Sequence, residues 1–248
     1  MDQSLKIGYC GETKIGKSHL AARFIRDFDG IFLDFAGVQQ FKESIKEAPQ
    51  YKVSGLSMGE AFRACKNAGL NIDTQYHYIR SWEDIDKAID YAFEYRETIT
   101  KKPNKRIWVV IDDTNMWRWH SALKAQKKNG HKSIVKDDWG QATTDMVMTV
   151  RRLESEFNLL FVNQKQDLYK DGENTGDRKG KWYPSGIEYS LDIVGELWVD
   201  KSKSPHVQHF EVVANRMNWL CDDLYVSDII NPEPKTMMEM LGVDKELC

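Results

Sequence analysis

Cysteine is scarce in this chain. Among its 248 residues only Cys10, Cys65, Cys221 and Cys248 occur, far apart and with no C-x-x-C pair, so no disulfide framework and no cysteine-ligated metal site is expected. Long apolar runs are missing as well: no stretch approaches the roughly 18 residues that a membrane span needs. Met1-Asp2-Gln3-Ser4-Leu5-Lys6 enters an apolar stretch too soon for a secretory signal, and a reducing cytoplasm is the expected setting. There is no internal repeat and no low-complexity tract. Neither sign of charge dominates: 35 Lys and Arg against 38 Asp and Glu leave a formal net charge of -3, so overall charge argues neither for nor against a polyanionic partner and local clusters matter more. With 41% hydrophobic and 29% charged residues, the length suits a single domain over 1–248, its tail from about 230 to 248 forming an appended helix.

What is present begins at Gly11. The run Gly11-Glu12-Thr13-Lys14-Ile15-Gly16-Lys17-Ser18 satisfies G-x-x-x-x-G-K-[ST], directly after the apolar stretch Leu5 to Cys10. Leu20, Ala21, Phe24, Ile25 and Phe28 then recur at helical spacing. Strand, glycine loop and helix in that order place a phosphate on the positive end of a helix. Backbone N–H groups from Gly11 to His19 would face the phosphates, Lys17 would reach the β and γ groups, and the Ser18 hydroxyl would sit on Mg²⁺. The expected ligand is ATP with Mg²⁺. A glycine turn before an ordinary helix is the plain alternative.

A metal-holding carboxylate is expected at the end of a buried strand, and Ile107-Trp108-Val109-Val110-Ile111-Asp112-Asp113 supplies one. Asp112 is the candidate for the metal shell, although an apolar run ending in Asp is also a common structural feature. Gly30 to Phe35 reads as a second strand, Gln75 to Arg80 as a third, and Leu159 to Gln164 as another buried one. Residues 36 to 74 are poorly patterned, with short helices possible in principle at Gln39 to Lys46 and Ser57 to Ala68. Ser81, with Asp84, opens a helix whose stripe is Trp82, Ile85, Ile89 and Phe93. Asp137-Asp138 opens another, striped by Trp139, Met146, Val150, Leu153 and Phe157. Strands at Leu191 to Val199 and Val207 to Ala214 and a Met-rich helix at Thr236 to Leu241 close the chain. Alternating strands and helices predict a doubly wound, mostly parallel α/β sheet.

Phosphate loop, carboxylate strand, and a later strand ending in Asn163-Gln164 before a long polar segment together resemble the RecA-like P-loop ATPase core. Lys14 in the loop, Asp138-Trp139-Gly140, Gly186 to Ser190 and Asn215-Arg216 extend the resemblance, over roughly residues 5 to 220, to the phage-type AAA/RecA-like ATPases of single-strand annealing and recombination. The resemblance implies that Gln164 senses the γ-phosphate and signals into the following loop. It also implies ATP hydrolysis, single-stranded DNA binding, assembly into a ring or filament, and replication proteins or a single-strand-binding protein as further partners. Arg216 becomes a candidate γ-phosphate contact, in its own subunit or across to a neighbour's site. One departure matters: where the family carries a glutamate base after the second strand, this chain has Ala36. Asp34 and Asp113 are the remaining candidates for the base, and slow hydrolysis is expected.

Two basic segments flank the expected site. Lys124 to Lys136, with Lys127, Lys128 and Lys132, is expected as a loop; Lys165 to Pro184 is expected as a second, carrying Lys165, Tyr169, Arg178, Lys179, Lys181, Trp182 and Tyr183. Cations beside aromatic rings suit sequence-tolerant single-strand binding. Asp171, Glu173 and Asp177 dilute the second segment, and Trp182 and Tyr183 could instead pack on the core. His206 and His209 lack further ligands at metal spacing, and Trp117 and Trp119 read as packing. The rival readings are a nucleotide-switched motor or loader acting on proteins and, less well supported, a small-molecule kinase.

Overall fold

A computed structural model describes residues 4–35, 60–99, 106–170, 173–180, 182–216 and 226–243. Strand β1 (Lys6–Gly11) leads through the glycine loop into α1 (Lys17–Phe28) and β2 (Gly30–Asp34). Helices α2 (Glu60–Asn67) and α3 (Ile72–Gln75), strand β3 (Tyr76–Tyr78), helix α4 (Trp82–Ile99) and strand β4 (Trp108–Asp112) follow. Next come α5 (Thr114–Asn129), α6 (Lys136–Glu154), β5 (Asn158–Lys170) and β6 (Glu173–Gly180). The chain ends through β7 (Ile193–Asp200), β8 (Val207–Asn215), β9 (Asp228–Ile230) and α7 (Pro234–Met240).

The strands form one sheet in the order β3-β2-β4-β5-β1-β7-β8-β9, with β6 pairing on the far half of β5. Pairing is parallel from β3 through β7, and antiparallel for β7–β8, β8–β9 and β5–β6. This is the doubly wound, mostly parallel α/β fold expected, with β5, the strand that carries Asn163-Gln164, inserted between the phosphate-loop strand and the carboxylate strand. Successive side chains point to opposite faces, and both faces are covered. Trp108, Val110, Leu160 and Val162 join Leu20, Phe24, Ala64, Met237 and Met238 on the face of α1, α2 and α7. Val109, Ile111, Leu159 and Phe161 join Ile85, Ile89, Trp117, Met146 and Leu153 on the face of α4, α5 and α6. The C-terminal helix, expected as an appendage, is therefore seated in the core beside α1.

Both basic segments differ from expectation. Lys124, Lys127 and Lys128 lie not in a loop but on α5, which runs to Asn129 and is capped by Gly130 at φ 71°, whose N–H reaches the Gln126 and Lys127 carbonyls. Cations in a last helical turn favour its negative end. The segment after Gln164 is likewise not a loop. β5 continues past the sheet edge and turns back as β6, pairing Lys165 with Gly180, Gln166 with Lys179 and Asp167 with Arg178. Of the expected helices in 36–74, Ser57 to Ala68 corresponds to α2; Gln39 to Lys46, with Ala36, lies outside the described residues.

Candidate nucleotide site

The site is built at the C-terminal ends of β1, β2, β4 and β5. Gly11 ends β1, where a Cβ would overlap the Leu197 carbonyl of β7 and the Ile15 side chain, so the loop can turn there only without one. Gly16 stands at the N-cap of α1 with φ 93°, and a Cβ on it would lie 2.7 Å from Gln208 Nε2. No side chain caps α1 and its first turn holds no acidic residue. The first N–H groups of the helix thus remain available to an anion, and the macrodipole points its positive end at them.

Lys17 is buried, and its ammonium donates to the carbonyls of Gly11 at 3.1 Å and Glu12 at 2.5 Å. Its own carbonyl accepts from the fully buried Tyr9 hydroxyl at 2.7 Å, which ties the base of the loop to β1. The Ser18 hydroxyl donates to Asp112 Oδ2 at 2.6 Å, joining the two residues expected to share a metal. Asp112 is held next to Asp34 by strand register, since β2 and β4 pair Asp34 with Asp112. Burial, then the neighbouring Asp34 charge, pushes the Asp112 carboxyl up to about 7, against the opposing pull of the Ser18 hydroxyl and Lys17.

Thr13, Lys14, Gly16, Lys17, Ser18, His19, Asp34, Ala61, Arg63, Asp112 and Gln164 line one cavity of about 460 Å³. That volume is in the usual range of small-ligand sites. Of the two candidates for the base, Asp34 lies on this cavity and accepts the Tyr76 hydroxyl at 2.5 Å. Asp113 does not line it: buried, its carboxylate caps α5 by accepting from the Met116 N–H at 2.8 Å. Burial raises the Asp113 carboxyl above its ordinary value.

The donor set fits a magnesium ion bound with a nucleotide. Among the described residues no three His, Cys, Asp or Glu gather into a protein cage. Mg²⁺ characteristically takes one or two protein oxygens and completes its shell with phosphate and water; Ser18 and Asp112 are such a pair. His209 is occupied otherwise, with Nδ1 2.7 Å from Asp228 and its ring stacked on Trp198 at 3.9 Å.

Arg216 is placed away from the site. β8 runs antiparallel to β7, pairing Asn215 with Ile193, while Leu197 pairs near the phosphate loop at Gly11. Arg216 therefore follows β8 at the opposite edge, donating to the Tyr189 and Glu188 carbonyls, and makes no contact with its own subunit's loop. The contact within the subunit is corrected by the reversal of chain direction at β8.

The expected DNA contacts separate into two groups. Lys165 pairs with Glu196, and Arg178 pairs with Glu12 of the phosphate loop and with Asp167 at 2.9 Å. Trp182 packs over Gly8, where a Cβ would come within 3.0 Å of its ring, and Tyr183 is buried. Tyr183 thus packs in the core, while Trp182 is half-buried against it. Lys127 lies 3.8 Å from Glu83. Lys128, Lys132 and Lys179 are exposed, and Lys181 lies outside the described residues. Trp117 is buried as expected, whereas Trp119 is 40% exposed.

Sequence reasoning missed four participants. Arg63 and Ala61 come from α2, Tyr76 from β3, and Gln208 from β8, where its Nε2 donates to the Ile15 carbonyl of the loop at 2.5 Å. None stands at a fixed offset from the glycine motif, so no local pattern marks them.

No protein-family model matches the chain, and no curated protein matches it. Among solved structures, a prototypical ATPase from the type III secretion system of pathogenic bacteria is similar, at 15% identity and a TM-score of 0.45, over 79% of this chain and 52% of that one. The chain thus spans about half the length of that ATPase. No described helix is long and apolar enough to cross a membrane.

Proposed function

We propose that the chain is a Mg²⁺-dependent ATPase whose β5–β6 hairpin carries the response to nucleotide onto single-stranded DNA, in strand annealing or recombination of phage or mobile-element DNA. The observation that carries the nucleotide reading is convergence: an uncapped helix N-terminus, Lys17 and the Ser18–Asp112 pair open into one cavity. Magnesium-bound ATP would supply the phosphoanhydride and neutralise its oxygens. Lys17 and the α1 amides hold the phosphates, and Ser18 with Asp112 holds the metal shell. Asp34, lining the cavity beside Asp112, is the carboxylate placed to accept a proton from water, with Tyr76 fixing its orientation.

Coupling to the hairpin has two supports. Gln164 lines the cavity in β5, the strand that continues directly into the hairpin. Arg178 of β6 pairs with Glu12 inside the phosphate loop. A change at the loop therefore acts on both hairpin strands. Lys179 and the α5 end with Lys128 and Lys132 are the exposed cations offered to a polynucleotide backbone. Assembly into a ring or filament would let Arg216 act across a subunit boundary.

A motor or loader working on protein partners is favoured by one observation: Trp182 and Tyr183 pack inward, and Lys165 and Arg178 are already paired. ATP hydrolysis measured with and without single-stranded DNA, with Lys17→Ala as control, separates the readings. The DNA reading expects stimulation and strand retention that falls steeply with salt. Hydrolysis indifferent to the polymer, with no retention at low salt, would leave the protein-directed motor; no hydrolysis and no nucleotide binding would remove both.

A further inference from the structure

Arg63 stands on α2, a helix that sequence patterning leaves unconnected to the glycine motif. Ala61, Ala64 and Cys65 bury one face of that helix in the same core as Leu20 and Phe24 of α1. Arg63 is exposed and, together with Ala61, lines the cavity that holds Lys17, Ser18, Asp34, Asp112 and Gln164. Ala61 and Arg63 set α2 on the same cavity as the Asp34 and Asp112 carboxylates, where the nucleotide reading puts the metal shell and the attacked phosphate.

Two carboxylates open onto this cavity, yet Arg63 forms no ion pair or hydrogen bond with any described residue. Asp112 takes the Ser18 hydroxyl and Asp34 takes the Tyr76 hydroxyl. A guanidinium offers five donors in a planar fork suited to phosphate oxygens and keeps its charge at any working pH. Lys17 and the α1 amides supply positive charge from the loop; Arg63 supplies it from a separate element that packs on α1.

We propose that Arg63 is the recognition residue for the terminal phosphate, so that the site distinguishes a nucleoside triphosphate from a diphosphate within one subunit. The inference rests on the nucleotide reading of the cavity and deepens it. It gives the subunit a second cation at the γ position beside Lys17, a place that Arg216 cannot fill from the far edge of the sheet.

The test uses the full chain with Mg²⁺ and two probes, ADP and a non-hydrolysable ATP analogue, titrated by calorimetry into wild type, Arg63→Ala and Arg63→Lys. A charge-assisted contact made only to the terminal phosphate predicts a roughly 10- to 100-fold loss of analogue affinity in Arg63→Ala with ADP affinity within about twofold. Arg63→Lys, which keeps the charge but not the fork, should recover part of the loss. Equal weakening of both ligands, or no change in either, overturns the assignment while leaving the nucleotide site intact. Wild-type protein that binds neither ligand, matching Lys17→Ala, instead sinks the nucleotide reading itself. Thermal melting of both variants checks that they fold, as expected for an exposed side chain.

Discussion

Gln208→Ala tests whether the phosphate loop is braced from a strand that never touches the ligand. Gln208 Nε2 donates to the Ile15 carbonyl at 2.5 Å, immediately before the left-handed Gly16 that opens α1. The brace is itself held: the Gln208 N–H donates to Asn231 Oδ1 at 3.1 Å, and the Asn231 N–H donates to the Gln208 carbonyl at 2.6 Å. Alanine removes one neutral hydrogen bond, worth about 0.5–1.5 kcal/mol net. If the bond serves only to hold the loop ready, that amount appears as lost affinity for Mg²⁺·ADP of roughly 2- to 13-fold at 25 °C. For a chain of this size the same amount lowers the melting temperature by about 2–4 °C per kcal/mol. Calorimetric titration of wild type and Gln208→Ala measures the first, differential scanning calorimetry the second. Unchanged affinity would refute the brace. Abolished affinity would refute it too, since one neutral bond cannot supply so large an effect. Gly16→Ala should be far more damaging, because it forces a side chain into a φ of 93° and against the same Gln208 amide.

Asp112 makes the ligand-free protein sensitive to pH. Burial and then Asp34 raise its carboxyl to about 7, while in the unfolded chain it titrates near about 3.9, so between those values the folded protein keeps a proton that the unfolded chain has released. This contribution makes stability fall as pH rises through that window and levels off above it; Asp112→Asn should flatten the slope between urea melts at about pH 5 and about pH 7. Trp182→Ala should cost roughly 3 kcal/mol of stability, because the ring packs on Gly8, without a selective loss of single-strand affinity. Lys179→Ala should leave stability unchanged and reduce the salt slope of strand binding by about one; the reverse pattern would restore Trp182 as a stacking platform. Gly195→Ala would drive a Cβ into the fully buried Phe210 ring and should cost about 1–3 kcal/mol in denaturant unfolding, a neutral result showing that the ring can move aside.

Much of the fold is legible because the parallel strands are buried on both faces. Val109 to Ile111 and Leu159 to Val162 read as continuous apolar runs for that reason; the cavity carboxylate Asp112 directly follows the first, and the cavity amide Gln164 comes two residues after the second. The hairpin is illegible for the converse reason. Every described β6 residue before Gly180 is exposed, so neither face carries an apolar alternation, and main-chain pairing with Arg178 opposite Asp167 holds it instead. α5 is obscured because its charged end, Lys124 to Lys128, reads as loop composition, although those residues are good helix formers and Lys124 and Lys127 pair with Asp86 and Glu83 of α4. Arg216 is misplaced by direction: proximity to a strand end says nothing about which edge that end occupies once β8 reverses against β7.

The same limit bears on how the hairpin is attached. An aromatic beside lysines is compatible with a base-stacking surface or with an anchor, and composition does not choose between them. An anchor is favoured by Gly8, in the middle of β1, whose missing Cβ leaves the space that the Trp182 ring occupies. Leu191 fills the same space, since its methyl would also collide with a Cβ at Gly8. The segment leaving β6 is thereby fixed to β1, and Arg178 within β6 is paired to Glu12, the residue directly after β1. Both attachments bear on one strand-and-loop unit, the unit that would grip the phosphates. On the proposed nucleotide reading, a displacement of Glu12 on ligand binding would pull on Arg178 while Trp182 holds the base of the hairpin. The expected consequence is a change in hairpin angle at Arg178 rather than a shift of the whole arm, and it would be lost in Glu12→Ala while nucleotide affinity is retained.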